Sequence, residues 1–129
     1  MRKSKILLVD DSVDILQVVG WALEDRGYQV TKASGGMEAI ERLAVENFDL
    51  VISDLMMHPV DGISVLKEAK ARLPMARVII FTAYDDLYAS IDARRQGADA
   101  YILKRSGLNE IMERIGDCLK RLKCEPCIA

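Results

Sequence analysis

Short runs of strand-forming residues alternate along the chain with longer segments of helical periodicity. The short runs predict five buried strands, at residues 6–9, 28–33, 50–53, 78–81 and 100–103. The other segments repeat apolar residues every three or four positions, which predicts helices over 12–26, from 36 onward, over 62–72, over 86–96, and from a Ser106 N-cap onward. In the second helix we expect an apolar side of Met37, Ile40, Leu43 and Ala44.

Five strand–helix units in succession predict an α/β protein. Apolar strands joined by crossover helices indicate a parallel sheet covered on both faces. Right-handed crossovers and the chain length favour a doubly wound five-stranded parallel sheet in the order 2-1-3-4-5. In such sheets a ligand binds at the carboxyl ends of the strands.

Polar side chains stand at the ends of four predicted strands. Asp10 and Asp11 follow the first strand, Asp54 the third, Thr82 the fourth and Lys104 the fifth. These four strands are neighbours in the predicted order, so we expect the five side chains to converge. Clustered carboxylates repel one another unless a cation joins them, and hard oxygen ligands suit Mg²⁺. With a lysine and a hydroxyl opposite, the cluster is typical of phosphoryl transfer, in which an aspartate oxygen can be the covalent acceptor.

At this point the chain resembles a known family, the receiver domains of two-component response regulators. The resemblance runs from about residue 5 to 122. It is carried by Leu7-Leu8-Val9-Asp10-Asp11, Asp54-Leu55-Met56-Met57 with Asp61-Gly62, Thr82-Ala83, and Gly97-Ala98-Asp99-Ala100-Tyr101 leading to Lys104. It implies a flavodoxin-like receiver fold.

The resemblance also implies a role for each site residue. Asp54 becomes the phospho-acceptor, and Asp11, Asp54 and the backbone carbonyl of Met56 become Mg²⁺ ligands, with Asp10 helping through water.

On the other side of the site, Thr82 would hold the transferred phosphoryl group and Lys104 would pair with it. Tyr101 would be the aromatic side chain that rotates with the switch.

The implied partners are a histidine kinase or histidine phosphotransfer protein and a downstream effector protein or domain. The domain would assist only its own phosphorylation and dephosphorylation, so we do not expect an enzyme that turns over an external substrate. A phosphorylation-dependent homodimer is left open.

Two positions depart from the family pattern. His58 stands where proline is common after the acceptor, with Pro59 one place later. Arg105 stands where a proline often follows the lysine in a cis bond. A cis bond before a non-proline residue costs about 2.5–4 kcal/mol, which leaves the peptide geometry at Lys104–Arg105 open.

Three rival functions fit the sequence less well. A haloacid-dehalogenase-like phosphatase would need a second carboxylate two residues after the nucleophile, where Met56 stands. A flavin carrier of flavodoxin type would need a Ser/Thr/Gly-rich phosphate loop after the first strand, and none follows it. A phosphate-independent docking receiver would not need the complete set of acidic, hydroxyl and lysine side chains.

Charge and hydropathy restrict the remaining classes. With 18 basic and 20 acidic residues, the net charge is −2. This balance argues against direct nucleic-acid binding, which favours a basic excess. No apolar run reaches the ~18–20 residues of a membrane span, and the apolar stretch after the basic start is too short for a signal peptide. We expect a cytoplasmic receiver domain at residues 1–122, followed by a C-terminal tail at 123–129.

Several other residues stand out. Trp21 suits either a partner contact or a partly buried structural position. Cys124 and Cys127 have the spacing of half a zinc site or of a redox pair. A second pair of ligands is missing and no βα motif follows, so a frayed tail is the preferred interpretation. Met56 and Tyr84 are expected to flank the phosphoryl group and to screen it from water.

Overall fold

The computed structural model describes residues 3–124, with side chains through Lys120, as five strands alternating with five helices. The strands are β1 (Lys5–Val9), β2 (Gln29–Ala33), β3 (Leu50–Ser53), β4 (Arg77–Thr82) and β5 (Ala100–Leu103). The helices are α1 (Val13–Asp25), α2 (Gly36–Val45), α3 (Gly62–Arg72), α4 (Leu87–Arg95) and α5 (Leu108–Cys124).

All five strands are parallel and lie in the order β2-β1-β3-β4-β5, which confirms the predicted topology. The register aligns the carboxyl ends of the strands: Val9 lies opposite Ser53 and Thr82 opposite Leu103. The residues that follow these strands therefore share one edge of the sheet.

The alternation of side chains along each strand divides the core into two layers. Ile6 and Leu8 pack with apolar residues of α1 and α5 on one face of the sheet. Leu7 and Val9 pack with residues of α2, α3 and α4 on the other face. Because both faces are covered, the apolar pattern of β1 is nearly continuous.

Side-chain caps fix where three helices begin. Ser12 accepts a hydrogen bond from the Ile15 amide at the start of α1, and Asp61 accepts one from Ser64 at the start of α3. Asp86 accepts the amides of Tyr88 and Ala89 at the start of α4. These caps set the starting points of helices that lie beside the carboxyl ends of the strands.

Two local predictions were wrong. The buried side of α2 carries Ala39 and Leu43, whereas Met37 and Ala44 are exposed. At α5 the Ile111 amide bonds to the Gly107 carbonyl, so the helix begins after Gly107 and Ser106 lies in the preceding turn. Gly107 replaces the predicted cap because the turn after β5 is closed by a Ser106-to-Leu103 backbone bond.

The remaining expectations concern peptide bonds, membrane-spanning helices and the C-terminal boundary. Within the described residues the His58–Pro59 peptide bond is cis, and the Lys104–Arg105 bond is trans. No helix among these residues is both long and apolar enough to cross a membrane. The domain boundary at residue 122 stays a prediction, and most of the Cys124–Cys127 motif lies outside the described residues.

Candidate functional site

Three carboxylates meet at the carboxyl edge of the sheet. Asp10 and Asp11 leave β1, and Asp54 leaves the neighbouring strand β3. One oxygen of each lies within 4.8 Å of the others. Asp10 is only 1% exposed and Asp54 is also buried, whereas Asp11 faces solvent. The acidic cluster expected from the strand order is therefore present, with one member open to water.

Lys104 places the single ammonium group of this cluster against two of its carboxylates. Its Nζ lies 2.7 Å from Asp10 Oδ2 and 3.2 Å from Asp54 Oδ2. Burial works to lower the pKa of Lys104, but the hydrogen bond and charge of Asp10, with Asp54, outweigh burial and raise it. A backbone hydrogen bond from Lys104 to the Thr82 carbonyl, 2.8 Å long, fixes the start of its loop.

Asp10 is the most deeply buried carboxylate of the cluster. Burial raises the pKa of the Asp10 carboxyl, and the contacts with Lys104 and with the Ser12 amide oppose that rise. The Ser12 amide donates to Asp10 Oδ1 over 2.9 Å. A carboxylate held in so dry a position gains from any additional cation that approaches it.

Thr82 and Tyr101 are linked through the backbone of Tyr84. The Tyr84 amide donates to Thr82 Oγ1 over 3.1 Å, and the Tyr101 hydroxyl donates to the Tyr84 carbonyl over 2.6 Å. Burial, and after it the negative charge of Asp86, raises the pKa of the Tyr101 hydroxyl. A movement of Thr82 would therefore disturb the peptide that holds Tyr101.

The Tyr84 side chain is held at its hydroxyl end by a nearby carboxylate. A hydrogen bond with the Asp86 carboxylate raises the pKa of Tyr84 and lowers that of Asp86. Tyr84 is thus tied to the residue that caps α4. Sequence reasoning missed this link, although an aspartate directly before an apolar helical repeat is a recognisable N-cap signal.

The loop after β3 is held by close backbone contacts. The Gly62 amide donates to the Leu55 carbonyl over 2.9 Å, and Ser53 Oγ donates to the Asp54 carbonyl over 2.9 Å. A Cβ on Gly62 would fall 2.8 Å from Leu55 Cα, closer than real Cβ atoms approach. Gly62 therefore permits the tight return of this loop onto Asp54.

The donor set fits Mg²⁺. Three carboxylates face one ammonium group, so the cluster keeps an excess of negative charge, and all its metal-ligating atoms are hard oxygens. The exposure of Asp11 leaves room for the waters that Mg²⁺ normally retains. Met56 lies in the adjoining loop with its side chain 61% exposed, and the role of its carbonyl stays a prediction.

A family model described as the response regulator receiver domain matches residues 6–116. The chain belongs to the response regulator receiver family. This confirms the resemblance drawn from the motifs and the flavodoxin-like receiver fold, and it places the chain among signalling domains of two-component systems.

Curated relatives of this receiver domain are longer proteins. The chain is 38% identical over 110 residues to the DNA-binding transcriptional regulator NtrC of Escherichia coli K12, which covers 85% of the chain and 24% of the relative. It is 34% identical over 117 residues to the alkaline phosphatase synthesis transcriptional regulatory protein PhoP of Bacillus subtilis. That match covers 91% of the chain and 49% of the relative. The chain thus spans about a quarter of the length of the first relative and about half of the length of the second.

Solved receiver structures match nearly the whole chain. A CheY-like receiver domain protein from Methanospirillum hungatei is 30% identical with a TM-score of 0.90, covering 95% of this chain and 98% of that one. The receiver domain of the Francisella response regulator 1452 is 32% identical with a TM-score of 0.84. That match covers 92% of this chain and 98% of that one.

Two singled-out residues lie away from the acidic cluster. Trp21 is 64% exposed on α1, so it is not the partly buried structural residue that was one of its two interpretations. His58 is exposed and lines a groove beside the loop after β3.

Proposed function

We propose that this receiver domain accepts a phosphoryl group on Asp54 from a histidine kinase or histidine phosphotransfer protein and passes the signal to an effector protein or domain. The observation that carries the proposal is the position of Asp54 beside Lys104, with two further carboxylates within metal-binding reach. An enclosed aspartate with a neutralising lysine is suited to accept a transferred phosphoryl group.

The chemistry is a substitution at phosphorus. An Asp54 carboxylate oxygen forms the new P–O bond while the P–N bond of the phosphohistidine donor breaks. The imidazole leaves with the electron pair of that bond and takes up a proton from solvent. Lys104 balances negative charge on the transferred group. The Thr82 hydroxyl, which accepts a hydrogen bond from the Tyr84 amide, has its own proton left to donate to one of the phosphoryl oxygens.

Asp11, Asp54 and the Met56 carbonyl would hold the Mg²⁺, with Asp10 supporting it through water. When bound, Mg²⁺ neutralises charge on the phosphoryl oxygens. The three clustered carboxylates support this assignment. Since Lys104 is paired with Asp10 in the structure, the metal and the lysine share the task of compensating the buried charge.

The output would run through the face formed by α4, β5 and α5. The bonds from Thr82 to Tyr84 and from Tyr84 to Tyr101 support this route, because they connect the acceptor edge with β5. Amide exchange with and without a bound phosphate mimic should change in these elements. Changes restricted to α1 and α2 would contradict the route. The same comparison of amide exchange would also test for a homodimer that forms only on phosphorylation.

Such a domain would act in the cytoplasm and would bind no nucleic acid itself, in line with its net charge of −2. It would assist only its own phosphorylation and dephosphorylation. A phosphate-independent docking receiver is the alternative, and the retained acidic cluster and lysine argue against it.

Incubation with acetyl phosphate and Mg²⁺, read by intact mass, tests the proposal. The wild-type chain should gain one phosphoryl group, and removal of the metal with a chelator should prevent the gain. Asp54→Asn should remain unlabelled, whereas Asp25→Asn, an exposed change at the end of α1, should label normally. Equal labelling of Asp54→Asn would overturn the acceptor assignment.

A further inference from the structure

A groove of about 380 Å³ lies between the loop after β3 and helix α4. Its apolar wall includes Leu55, Met56, Met57 and Ile63, and most of its surface is apolar. None of the three clustered carboxylates lines the groove, although Met56, whose backbone carbonyl is proposed to hold the metal, is one of its lining residues. The groove therefore adjoins the acidic cluster but contains none of its carboxylates.

The polar part of the groove is acidic. Asp61 and Asp92 line it from opposite sides, one at the start of α3 and the other on α4, and no lysine or arginine is among its lining residues. Both carboxylates belong to exposed residues, and neither has an ion pair among the described residues. A ligand that enters the groove thus meets an apolar wall with negative charge on two sides.

Helix α4 leaves much of its own apolar surface uncovered. Within α4 only Ala93 is fully buried, and Tyr88 is 83% exposed. Tyr88 stands one helical turn from Asp92, so an aromatic ring flanks the acidic edge of the groove. Exposed large apolar side chains next to an apolar groove are typical of a protein-binding surface.

We propose that this groove binds a partner-protein segment that presents an apolar side chain flanked by lysine or arginine. The apolar side chain would contact Met56, which is 61% exposed and whose flexible thioether adapts to different shapes. The basic side chains would meet Asp61 and Asp92. The volume is at the low end of the ~300–1,000 Å³ range of ligand pockets, which suits an anchoring side chain.

A pair of fluorescent synthetic peptides tests the proposal on the unphosphorylated chain, so the outcome does not depend on the proposed phosphorylation. One peptide has a Lys-Leu-Leu-Lys centre and its twin a Glu-Leu-Leu-Glu centre, with identical neutral flanks. Anisotropy should show saturable binding of the lysine peptide and much weaker binding of the glutamate twin. Amide shifts in NMR spectra should concentrate at Ile63 and Ala89.

Charge reversal makes the test specific. Asp92→Lys should weaken binding of the lysine peptide by about five- to tenfold, because an exposed ion pair is replaced by repulsion. The same change should improve binding of the glutamate twin. Asp25→Lys makes the same charge change on the exposed end of α1 and should leave both affinities unchanged.

Three outcomes would overturn the proposal. The first is equal affinity of the two peptides. The second is a set of shifts centred on Asp10 and Asp11 instead of the groove. The third is self-association of the free chain that Asp92→Lys abolishes, because the groove would then be occupied by a second copy.

Discussion

The loop that carries Asp54 is confined by Gly36, and adding one methyl group there should slow phosphorylation sharply. Gly36 begins α2 and packs against Val60, near the end of this loop. A Cβ on Gly36 would fall 2.7 Å from both Val60 Cβ and Val60 Cγ1, and the Val60 carbonyl is nearer still. Gly36→Ala therefore has to move either α2 or the loop.

The size of the effect follows from these distances. Ordinary contacts of a Cβ begin near 3.4 Å, so Val60 has to shift by at least about 0.7 Å. Overpacking of this kind costs about 1–3 kcal/mol of stability. A misplacement near 1 Å at a reacting group costs on the order of 10²-fold in rate. We expect Gly36→Ala to lower the phosphorylation rate by roughly 10- to 100-fold and to weaken Mg²⁺ binding.

The assay is the rate of labelling by acetyl phosphate, measured well below the unfolding temperature of each variant. Gly35→Ala is the matched control, since a Cβ there meets no atom within 4 Å and the backbone is extended. Val60→Gly in the Gly36→Ala background should restore part of the rate by removing the clashing side-chain atoms. A Gly36→Ala variant that labels at the wild-type rate would refute the reasoning, as would equal losses in Gly35→Ala.

Three further predictions concern the metal, a helix cap and the lifetime of the phosphorylated state. Mg²⁺ should raise the unfolding temperature of the wild-type chain, because it binds the folded state, and calorimetry at several Mg²⁺ concentrations checks this rise. Asp11→Ala should lose both the rise and the labelling. The pKa of Asp86 is lowered chiefly by the Tyr84 hydroxyl, so its cap of α4 should be intact above the ordinary aspartate range and weaken as the pH falls through the folded-state pKa. Carboxyl-carbon NMR titration should show this lowered pKa of Asp86, and Tyr84→Phe should raise it. Phosphate should be lost faster from Met56→Asn/Tyr84→Glu than from wild type, because an amide and a carboxylate, which orient water as good acceptors, replace two side chains that are neither. Unchanged or slower loss would remove support for screening.

Much of the fold could be predicted because its strands are apolar on both faces and its helices carry clear end signals. The bounds of β3, α3 and β5 agree with the prediction to the residue. The buried side of α2 was assigned wrongly because hydrophobicity alone ranked Met37 above Ala39. In the structure Gly36 packs closely on Val60, so small residues face the neighbouring elements and Met37 turns to solvent.

The membership of the site could be predicted from strand order, but its internal contacts could not. Residue types place Asp10 and Lys104 at the same edge of the sheet. They do not determine that Lys104 lies nearer to Asp10 than to Asp54. The resemblance implies a functional link between Thr82 and Tyr101, but the hydrogen bonds that make it could not be predicted, because they are formed by the backbone of Tyr84.

The most direct test of the central claim is to locate the phosphoryl group. A chain labelled with acetyl phosphate and Mg²⁺ is treated with borohydride, which reduces an aspartyl phosphate to homoserine, and is then digested and sequenced by mass spectrometry. The account predicts homoserine at position 54 alone, dependent on Mg²⁺. Homoserine at position 10 or 11, or a label that resists borohydride, would contradict it.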